Sequence, residues 1–245
     1  MKTLVIIPSR LSATRLPGKP LLKINGLSII SHVFKRAVEA KIGEVVVAAE
    51  DQEIIDDVHQ NGGKAILTNK NHKTGTDRVY EVIDKFSSSG IDLVMNIQGD
   101  EPMLNIEDIK NLNNKMIKNK SNLGTLASKI SNKSFLDNEN IVKVITRHSF
   151  DTLNFPEALS FMRKKPKSEK NVYHHMGIYC YQIDILKRFV SLSQSINEKK
   201  ERLEQLRALD NDIKINVALA KELSIGVDTK EDYLAIKKIM EYKSK

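Results

Sequence analysis

The stretch EVVVAAEDQEIIDDVHQNGGKAILT, residues 44–68, decides the fold class. Its first apolar run, 44–49, predicts a buried strand. The amphipathic segment 51–60 predicts a helix with Asp51 as its N-cap, and the glycines that follow end this helix. A second apolar run, 64–68, predicts another strand. A strand, a helix and a strand in this order are typical of a parallel sheet.

The same alternation continues on both sides of this stretch. It predicts strands at 3–7 and 92–98 and helices at 28–41, 76–86 and 105–119. Alternating strands and helices predict an α/β fold, namely a Rossmann-like, mainly parallel sheet covered by helices on both faces. In such a sheet ligands bind at the carboxyl ends of the strands.

The second half of the chain is less regular. We expect strands at 123–130, 141–146, 176–183 and 214–220, a long helix at 197–211, and a strand followed by a helix within 224–243. The polar, lysine-rich segment 147–172 predicts a loop or an excursion. We therefore expect one domain over residues 1–245, with a smaller β-rich excursion around 131–212.

Composition narrows the class of protein. The 245 residues are 40% hydrophobic, which is enough for a substantial core, and no apolar run is long enough to span a membrane. Cys180 is the single cysteine, so we expect no internal disulfide, a buried thiol and a cytoplasmic protein. The net charge is +8, but the basic residues are scattered, so we expect no nucleic acid as partner. Anionic small substrates explain a local positive pocket equally well.

The loop PSRLSATRLPGKPL, residues 8–21, follows the first predicted strand. It offers a hydroxyl, three cations and a glycine: Ser9, Arg10, Arg15, Lys19 and Gly18. The cations are suited to surround a polyphosphate, and the glycine allows close approach of the backbone. The spacing is not that of a Walker A loop. An ordinary basic surface turn is the alternative, and the position at a strand end favours a functional role.

Two further apolar segments each end in an aspartate. NIQGDEP, residues 96–102, brings Asp100 to a strand end, and GVDT, residues 226–229, does the same for Asp228. Mg²⁺ takes one or two carboxylates together with phosphate oxygens and water, so this pair is a candidate magnesium site. The alternatives are an acidic strand-to-helix turn at Asp100 and a plain helix start at Asp228.

Three other segments carry polar side chains. In TGTDR, residues 74–78, hydroxyls and amides at a helix N-terminus can hold a base edge or an anion, or they can form a turn capped by threonine. His174 and His175 are adjacent on a predicted strand and face opposite ways, which argues against a shared metal. LEQLR, residues 203–207, lies on an amphipathic helix, for which solvation is the simple explanation.

In order and spacing, six segments of this chain resemble the 3-deoxy-manno-octulosonate cytidylyltransferase family, over nearly the whole chain. These segments are PSRLSATRLPGKPL, TGTDR, NIQGDEPM, HHMGIYCY, LEQLR and GVDT. The acylneuraminate cytidylyltransferases have a similar first loop, but their later motifs fit less well. The resemblance implies the nucleotide-diphospho-sugar transferase type of fold. It also implies a homodimer that the β-rich excursion helps to form.

The resemblance further implies a Mg²⁺-dependent nucleotidyltransferase of lipopolysaccharide synthesis. The anomeric 2-hydroxyl of an eight-carbon sugar acid, 3-deoxy-D-manno-octulosonate (Kdo), attacks the α-phosphorus of CTP, giving CMP-Kdo and pyrophosphate. The implied catalytic residues are Arg10, Lys19, Asp100 and Asp228, of which the two aspartates bind Mg²⁺. The implied nucleotide-binding residues are Ser9, Arg10, Arg15, Lys19, Thr74, Gly75, Thr76 and Asp100. The implied sugar-binding residues are Arg78, Gln98, His175, Glu204 and Gln205.

One segment departs from the family pattern. The segment NFPEALSFMR, residues 154–163, stands where the family carries a segment like YFSR. Pro156 and Glu157 therefore replace a Ser-Arg pair, and Arg163 is the candidate substitute for that arginine. A cytidylyltransferase for a related acid, such as 8-amino-Kdo or a sialic-type acid, is therefore the first alternative. A nucleotide-binding or RNA-binding protein without turnover is the alternative from another class.

Overall fold

The computed structural model describes residues 1–12, 15–72, 74–85 and 90–243. In chain order the strands are β1 (Thr3–Ser9), β2 (Lys23–Ile24), β3 (Leu27–Ser28), β4 (Gly43–Ala49), β5 (Ala65–Leu67), β6 (Leu93–Asn96), β7 (Leu123–Ser128), β8 (Lys143–Thr146), β9 (Ala158–Met162), β10 (Val172–Gln182) and β11 (Ile215–Leu219). The α-helices are α1 (Ile29–Glu39), α2 (Gln52–Gln60), α3 (Gly75–Lys85), α4 (Ile106–Asn119), α5 (Ser134–Asp137), α6 (Ile183–Ser191), α7 (Ile196–Glu201), α8 (Leu206–Leu209) and α9 (Lys230–Lys243). None of the helices in these described ranges is long and apolar enough to cross a membrane.

The chain divides into two compact units. The first unit comprises Lys2–Ile109 and Ser224–Lys245, and the second comprises Lys110–Leu223 with Met1. The sequence predicted one domain with an excursion around 131–212, and that description of the domains stays a prediction.

The first unit is built on a parallel sheet in the order β6-β1-β4-β5. In β1 the four consecutive residues from Leu4 to Ile7 are fully buried, so both faces of the strand are covered. This explains why the strand is a continuous apolar run rather than an alternating one. The predicted strand, helix and strand over 44–68 are confirmed as β4, α2 and β5. The last position of the predicted helix 76–86 lies outside the described residues.

The second unit contains a mixed sheet. Strand β7 pairs in parallel with β11 and antiparallel with β10, and β8 pairs antiparallel with both β10 and β9. The segment 147–172 was predicted to be a loop or an excursion. It is not a loop throughout, because β9 lies within it and β10 begins at Val172. In β9 the side chains of Ala158 and Phe161 are buried. The strand is short and lies between a proline-containing and a lysine-rich segment, so the sequence pattern did not indicate it.

Two other predicted elements differ from the structure. The long helix predicted at 197–211 is α7 and α8, separated at Arg202, which has the left-handed φ of 55°. Leu203 and Leu206 are both buried. The sequence pattern had placed them on one apolar face of a continuous helix. No strand precedes α9 in the described residues 224–229, and the amide of Val227 donates one hydrogen bond, of 2.9 Å, to the carbonyl of Asp100.

Candidate active site

The first unit contains a cleft of about 340 Å³ at the carboxyl ends of β1 and β6. It is lined by the loop after β1, the start of α3, the turn after β6 and the segment before α9. The predicted residues among its lining are Ser9, Arg10, Arg15, Lys19, Thr74, Gly75, Arg78, Gln98, Asp100 and Asp228. The structure therefore brings together the nucleotide and metal residues that the sequence had placed in separate segments, except Thr76.

The loop after β1 is shaped by hydrogen bonds of its own backbone. The amide of Gly18, at a φ of 71° that favours glycine, donates to the carbonyl of Leu11 at 3.1 Å. A 3₁₀ turn, Lys19–Leu21, begins directly afterwards, and Pro20 suits its first positions. This geometry fixes the backbone of Lys19 at the cleft. Residues 13–14 of the loop lie outside the described residues.

The ammonium of Lys19 contacts both candidate metal ligands. It donates to Asp100 Oδ2 at 2.7 Å and to Asp228 Oδ1 at 3.4 Å, and the Lys19 side chain is only 13% exposed. Arg15 also contacts Asp228 Oδ1, at 3.0 Å, on the exposed side. The two carboxylates are 128 positions apart in the chain, yet both contact the ammonium of Lys19.

A close backbone contact brings Asp100 to this position. A Cβ atom on Gly99 would lie 2.9 Å from the carbonyl oxygen of Pro8, so only glycine allows the turn after β6 to approach the end of β1 this closely. Next to it, burial and the negative charges of Asp100 and Asp228 raise the pKa of Glu101 to about 7. The charges of Asp100 and Asp228 thus act on Glu101 as well as on Lys19.

This donor set fits Mg²⁺. Both carboxylates contact one ammonium, and carboxylate oxygens are ligands that Mg²⁺ prefers. Within the described ranges no group of three or more His, Cys, Asp or Glu side chains could hold a metal ion. Phosphate oxygens and water would therefore have to complete the coordination, as is usual for Mg²⁺ bound with a nucleotide.

Residues with hydroxyl and backbone amide groups also line the cleft. Ser9 Oγ is buried and has no hydrogen-bond partner among the residues that the structure describes. Thr74 Oγ1 accepts the amide of Asp77 at 3.1 Å and so caps α3, as one of the two sequence interpretations expected. Thr76 is buried in α3 and is not among the cleft residues, so its contact with the nucleotide stays a prediction.

Arg78 lines the cleft, but its guanidinium is used within the protein. It forms a buried ion pair with Glu50 and donates to Thr68 Oγ1 and to the carbonyl of Asn69. The sequence did not identify Glu50, which lies 28 positions from Arg78. The predicted contact of Arg78 with the sugar acid remains a prediction, and its observed contacts are structural.

His72 lines the cleft and was not identified from the sequence. Its Nε2 is paired with Glu81, which also accepts the amide of Asn69 at 2.8 Å and pairs with Lys85. Although burial opposes ionisation, the hydrogen bonds from Lys85, His72 and Asn69 lower the pKa of Glu81 to about 2. The signal that could have found His72 is its position just before TGTDR.

Three predicted sugar residues, His175, Glu204 and Gln205, lie in the second unit. His175 is 8% exposed, its Nε2 lies 3.0 Å from Thr125 Oγ1, and its ring contacts Phe161. Burial, and to a smaller extent His174, lower the pKa of His175 to about 3, so the ring is neutral at pH 7.

Glu204 and Gln205 lie in the turn between α7 and α8. This turn is fixed by Arg207, which donates to Glu198 Oε2 at 2.9 Å and to Glu198 Oε1 at 2.6 Å and lies over the ring of Phe189. Glu204 is half-buried, 3.5 Å from Arg207, and Gln205 is buried. Contacts of both residues with a sugar stay predictions.

The segment that departs from the family pattern is held by backbone hydrogen bonds. The carbonyl of Pro156 accepts the amide of Val217 at 2.8 Å, and that of Glu157 accepts the amide of Arg147 at 2.8 Å. Arg163 donates to the carbonyls of Glu201 and Glu139, each at 3.3 Å.

Comparisons with known proteins identify the family. The model of the cytidylyltransferase family matches residues 4–215. The 3-deoxy-manno-octulosonate cytidylyltransferase of Thermodesulfovibrio yellowstonii is 44% identical over 243 residues, which cover 95% of each chain. That of Paramagnetospirillum magneticum is 41% identical over 231 residues, which cover 94% of each chain.

A solved structure agrees in fold. The structure of a CMP:2-keto-3-deoxy-manno-octonic acid synthetase in complex with CTP matches with a TM-score of 0.91 and 34% identity, over 99% of this chain and 100% of that chain. The predicted fold class is thereby confirmed. The chain belongs to the cytidylyltransferase family and, within it, to the 3-deoxy-manno-octulosonate cytidylyltransferases.

Proposed function

We propose that this protein transfers CMP from CTP to the anomeric hydroxyl of 3-deoxy-D-manno-octulosonate, forming CMP-Kdo and pyrophosphate. The observation that carries the proposal is the ammonium of Lys19 held between Asp100 and Asp228 in a cleft lined by the cationic loop. The names of the relatives support Kdo as acceptor and do not favour the sialic-type or nucleic-acid alternatives.

The chemistry is displacement at phosphorus. The anomeric hydroxyl oxygen forms a bond to the α-phosphorus, the bond from this phosphorus to the bridging oxygen breaks, and pyrophosphate leaves as the hydroxyl proton is released. Such a transfer depends on positioning and on neutralising charge rather than on a protein nucleophile.

The residues of the cleft can supply both the positioning and the positive charge that this transfer needs. Arg10 and Arg15 offer forked guanidinium donors to the triphosphate, and Lys19 offers a point charge that stabilises the leaving pyrophosphate. Ser9 Oγ and the amides at the start of α3 add neutral donors for phosphate oxygens or the cytosine edge. A single well-placed donor of this kind contributes about 3 kcal/mol, or about a hundredfold or more in rate.

Asp100 and Asp228 would hold Mg²⁺. When bound there, Mg²⁺ would act as a Lewis acid on the phosphate oxygens and as a template for the triphosphate. The ammonium of Lys19 contacts both carboxylates. Gln98 and Arg78, which line the cleft, are proposed to contact the sugar acid. For His175, Glu204 and Gln205 the contact with the sugar stays a prediction from the sequence.

A cytoplasmic homodimer in lipopolysaccharide synthesis completes the proposal. The single buried cysteine suits a reducing compartment. In the second unit β9 carries the exposed Leu159, an apolar side chain that an interface between two copies would cover. Sedimentation velocity of the wild type and of Leu159→Lys measures this, and a wild type that sediments as a monomer would contradict it.

A pyrophosphate-release screen tests the function. Four nucleoside triphosphates are crossed with Kdo, 8-amino-Kdo and a sialic acid, each with and without Mg²⁺. Release is expected with CTP, Kdo and Mg²⁺ together and not when any of them is omitted. A higher kcat/KM for another acid would replace Kdo as the substrate, and no release from any complete mixture would remove the proposal.

A further inference from the structure

Two adjacent carboxylates at the end of β4 bind the loop that carries the cations. Ser12 Oγ donates to Glu50 Oε1 at 2.9 Å, and the amide of Leu11 donates to Asp51 Oδ2 at 2.8 Å. Both donors come directly after Arg10. Asp51 does occupy the N-cap position of α2 that the sequence predicted, but its side chain makes no capping hydrogen bond there.

Leu11 also forms a backbone hydrogen bond with a later part of the loop. Its carbonyl accepts the amide of Gly18 at 3.1 Å, and Lys19 follows immediately. Asp51, Leu11 and Gly18 are thus joined by hydrogen bonds that end at the residue before Lys19. Arg10 and Lys19 are the flanking residues of this chain.

Glu50 joins the loop to α3. Its carboxylate is buried and forms an ion pair with Arg78, whose guanidinium also donates to Thr68. A buried carboxylate beside a triphosphate site would repel the ligand if it were unpaired. Because Arg78 neutralises it, Glu50 can hold Ser12 without opposing the binding of an anion.

We infer that Glu50 and Asp51 are positioning residues for the triphosphate of CTP: they hold the backbone of the cationic loop so that its cations are oriented before the nucleotide binds. The inference rests on the proposed function. Arg78 takes part as the partner that neutralises Glu50. Orientation before binding lowers the entropy that the loop loses when it closes on a ligand, so its loss weakens nucleotide binding more than it slows the chemical step.

The double variant Ser12→Ala/Asp51→Ala tests this without breaking the buried ion pair. We expect KM for CTP to rise about tenfold, as for the loss of hydrogen bonds to charged acceptors. We expect kcat and KM for the sugar acid to change less than threefold and the thermal midpoint to stay within about 2 °C. The matched control Glu44→Gln removes an exposed ion pair, with Lys64, at the other end of β4 and should leave all three kinetic constants unchanged.

The measurements separate the inference from its premise. If KM for CTP stays within twofold of wild type, or if all constants fall together with the folded fraction, the positioning role is wrong. If the wild type releases no pyrophosphate, the proposed function fails instead. Calorimetric titration of CTP into wild type and variant then decides the inference: a tenfold weaker Kd supports it, and equal Kd values contradict it.

Discussion

Replacing Lys19 by methionine removes the cation that both candidate metal ligands contact. The substitution keeps most of the aliphatic side chain, removes the ammonium from Asp100 and leaves Arg15 as the cation that contacts Asp228. Two effects follow, one on turnover and one on the response of the fold to Mg²⁺. Turnover should fall, whereas the stabilisation of the fold by Mg²⁺ should increase.

The effect on turnover follows from the leaving group. Negative charge grows on the pyrophosphate as its bond to the α-phosphorus breaks, and a donor aimed at such charge contributes about 3 kcal/mol. We therefore expect kcat/KM of Lys19→Met to fall by a factor of about 100 to 1,000. Pyrophosphate release at saturating Mg²⁺ measures this.

The effect on stability follows from the contacts at 2.7 and 3.4 Å. A hydrogen bond between charged groups contributes about 1.5–3 kcal/mol, and partial exposure of the carboxylates reduces this to about 1 kcal/mol. Without Mg²⁺ the thermal midpoint should fall by about 2–4 °C. Added Mg²⁺ should stabilise the variant more than the wild type, because it no longer competes with the ammonium.

Lys64→Met is the control, since this exposed lysine pairs with Glu44 far from the cleft. The control should keep wild-type turnover and the wild-type response to Mg²⁺ by differential scanning fluorimetry. A Lys19→Met protein with kcat/KM within threefold of wild type, or with no greater stabilisation by Mg²⁺, would refute the reasoning.

Three other substitutions have defined outcomes. Asp228→Asn removes a charge that Arg15 and Lys19 contact, so pyrophosphate release should fall at least about a hundredfold with an unchanged circular dichroism spectrum. The pKa of Glu81 is lowered from 4.5 to about 2, so its stabilisation, about 1 kcal/mol after solvent screening, is complete above pH 4.5 and is lost as the pH falls toward 2. Glu81→Gln should flatten this dependence in urea unfolding, and an unchanged slope would contradict the pairing. The pKa of His175 is lowered from 6.5 to about 3, so the wild type should lose about 3 kcal/mol between pH 7 and pH 4 because only the unfolded chain takes up the proton. His175→Asn should lose less over the same interval.

The first unit could be predicted from the sequence because its signals are local. Each strand is a short apolar run with a helix behind it, and each functional segment follows a strand end. Since the carboxyl ends of parallel strands meet at one edge of a sheet, Asp100 and the loop after β1 were expected to meet there. Asp228 was expected to join them as the second carboxylate at a predicted strand end, and the structure places it there without the predicted strand.

What the sequence did not reveal depends on partners distant in the chain. Nothing near Arg78 indicates that Glu50 neutralises it, and nothing near Leu11 indicates that Asp51 binds its amide. Similarly, the leucine spacing in 203–209 predicted one continuous helix, whereas the ion pair between Arg207 and Glu198 accompanies a turn at Arg202. Such contacts are chosen by tertiary packing rather than by local propensity.

The most direct test of the central claim is ³¹P NMR of the complete reaction with wild type and Asp100→Asn. With CTP, Kdo and Mg²⁺, the wild type should convert the triphosphate signals into one phosphodiester signal and one equivalent of pyrophosphate. The variant should leave CTP intact while keeping its fold. Cleavage of CTP to CDP and phosphate, or equal conversion by the variant, would contradict the account.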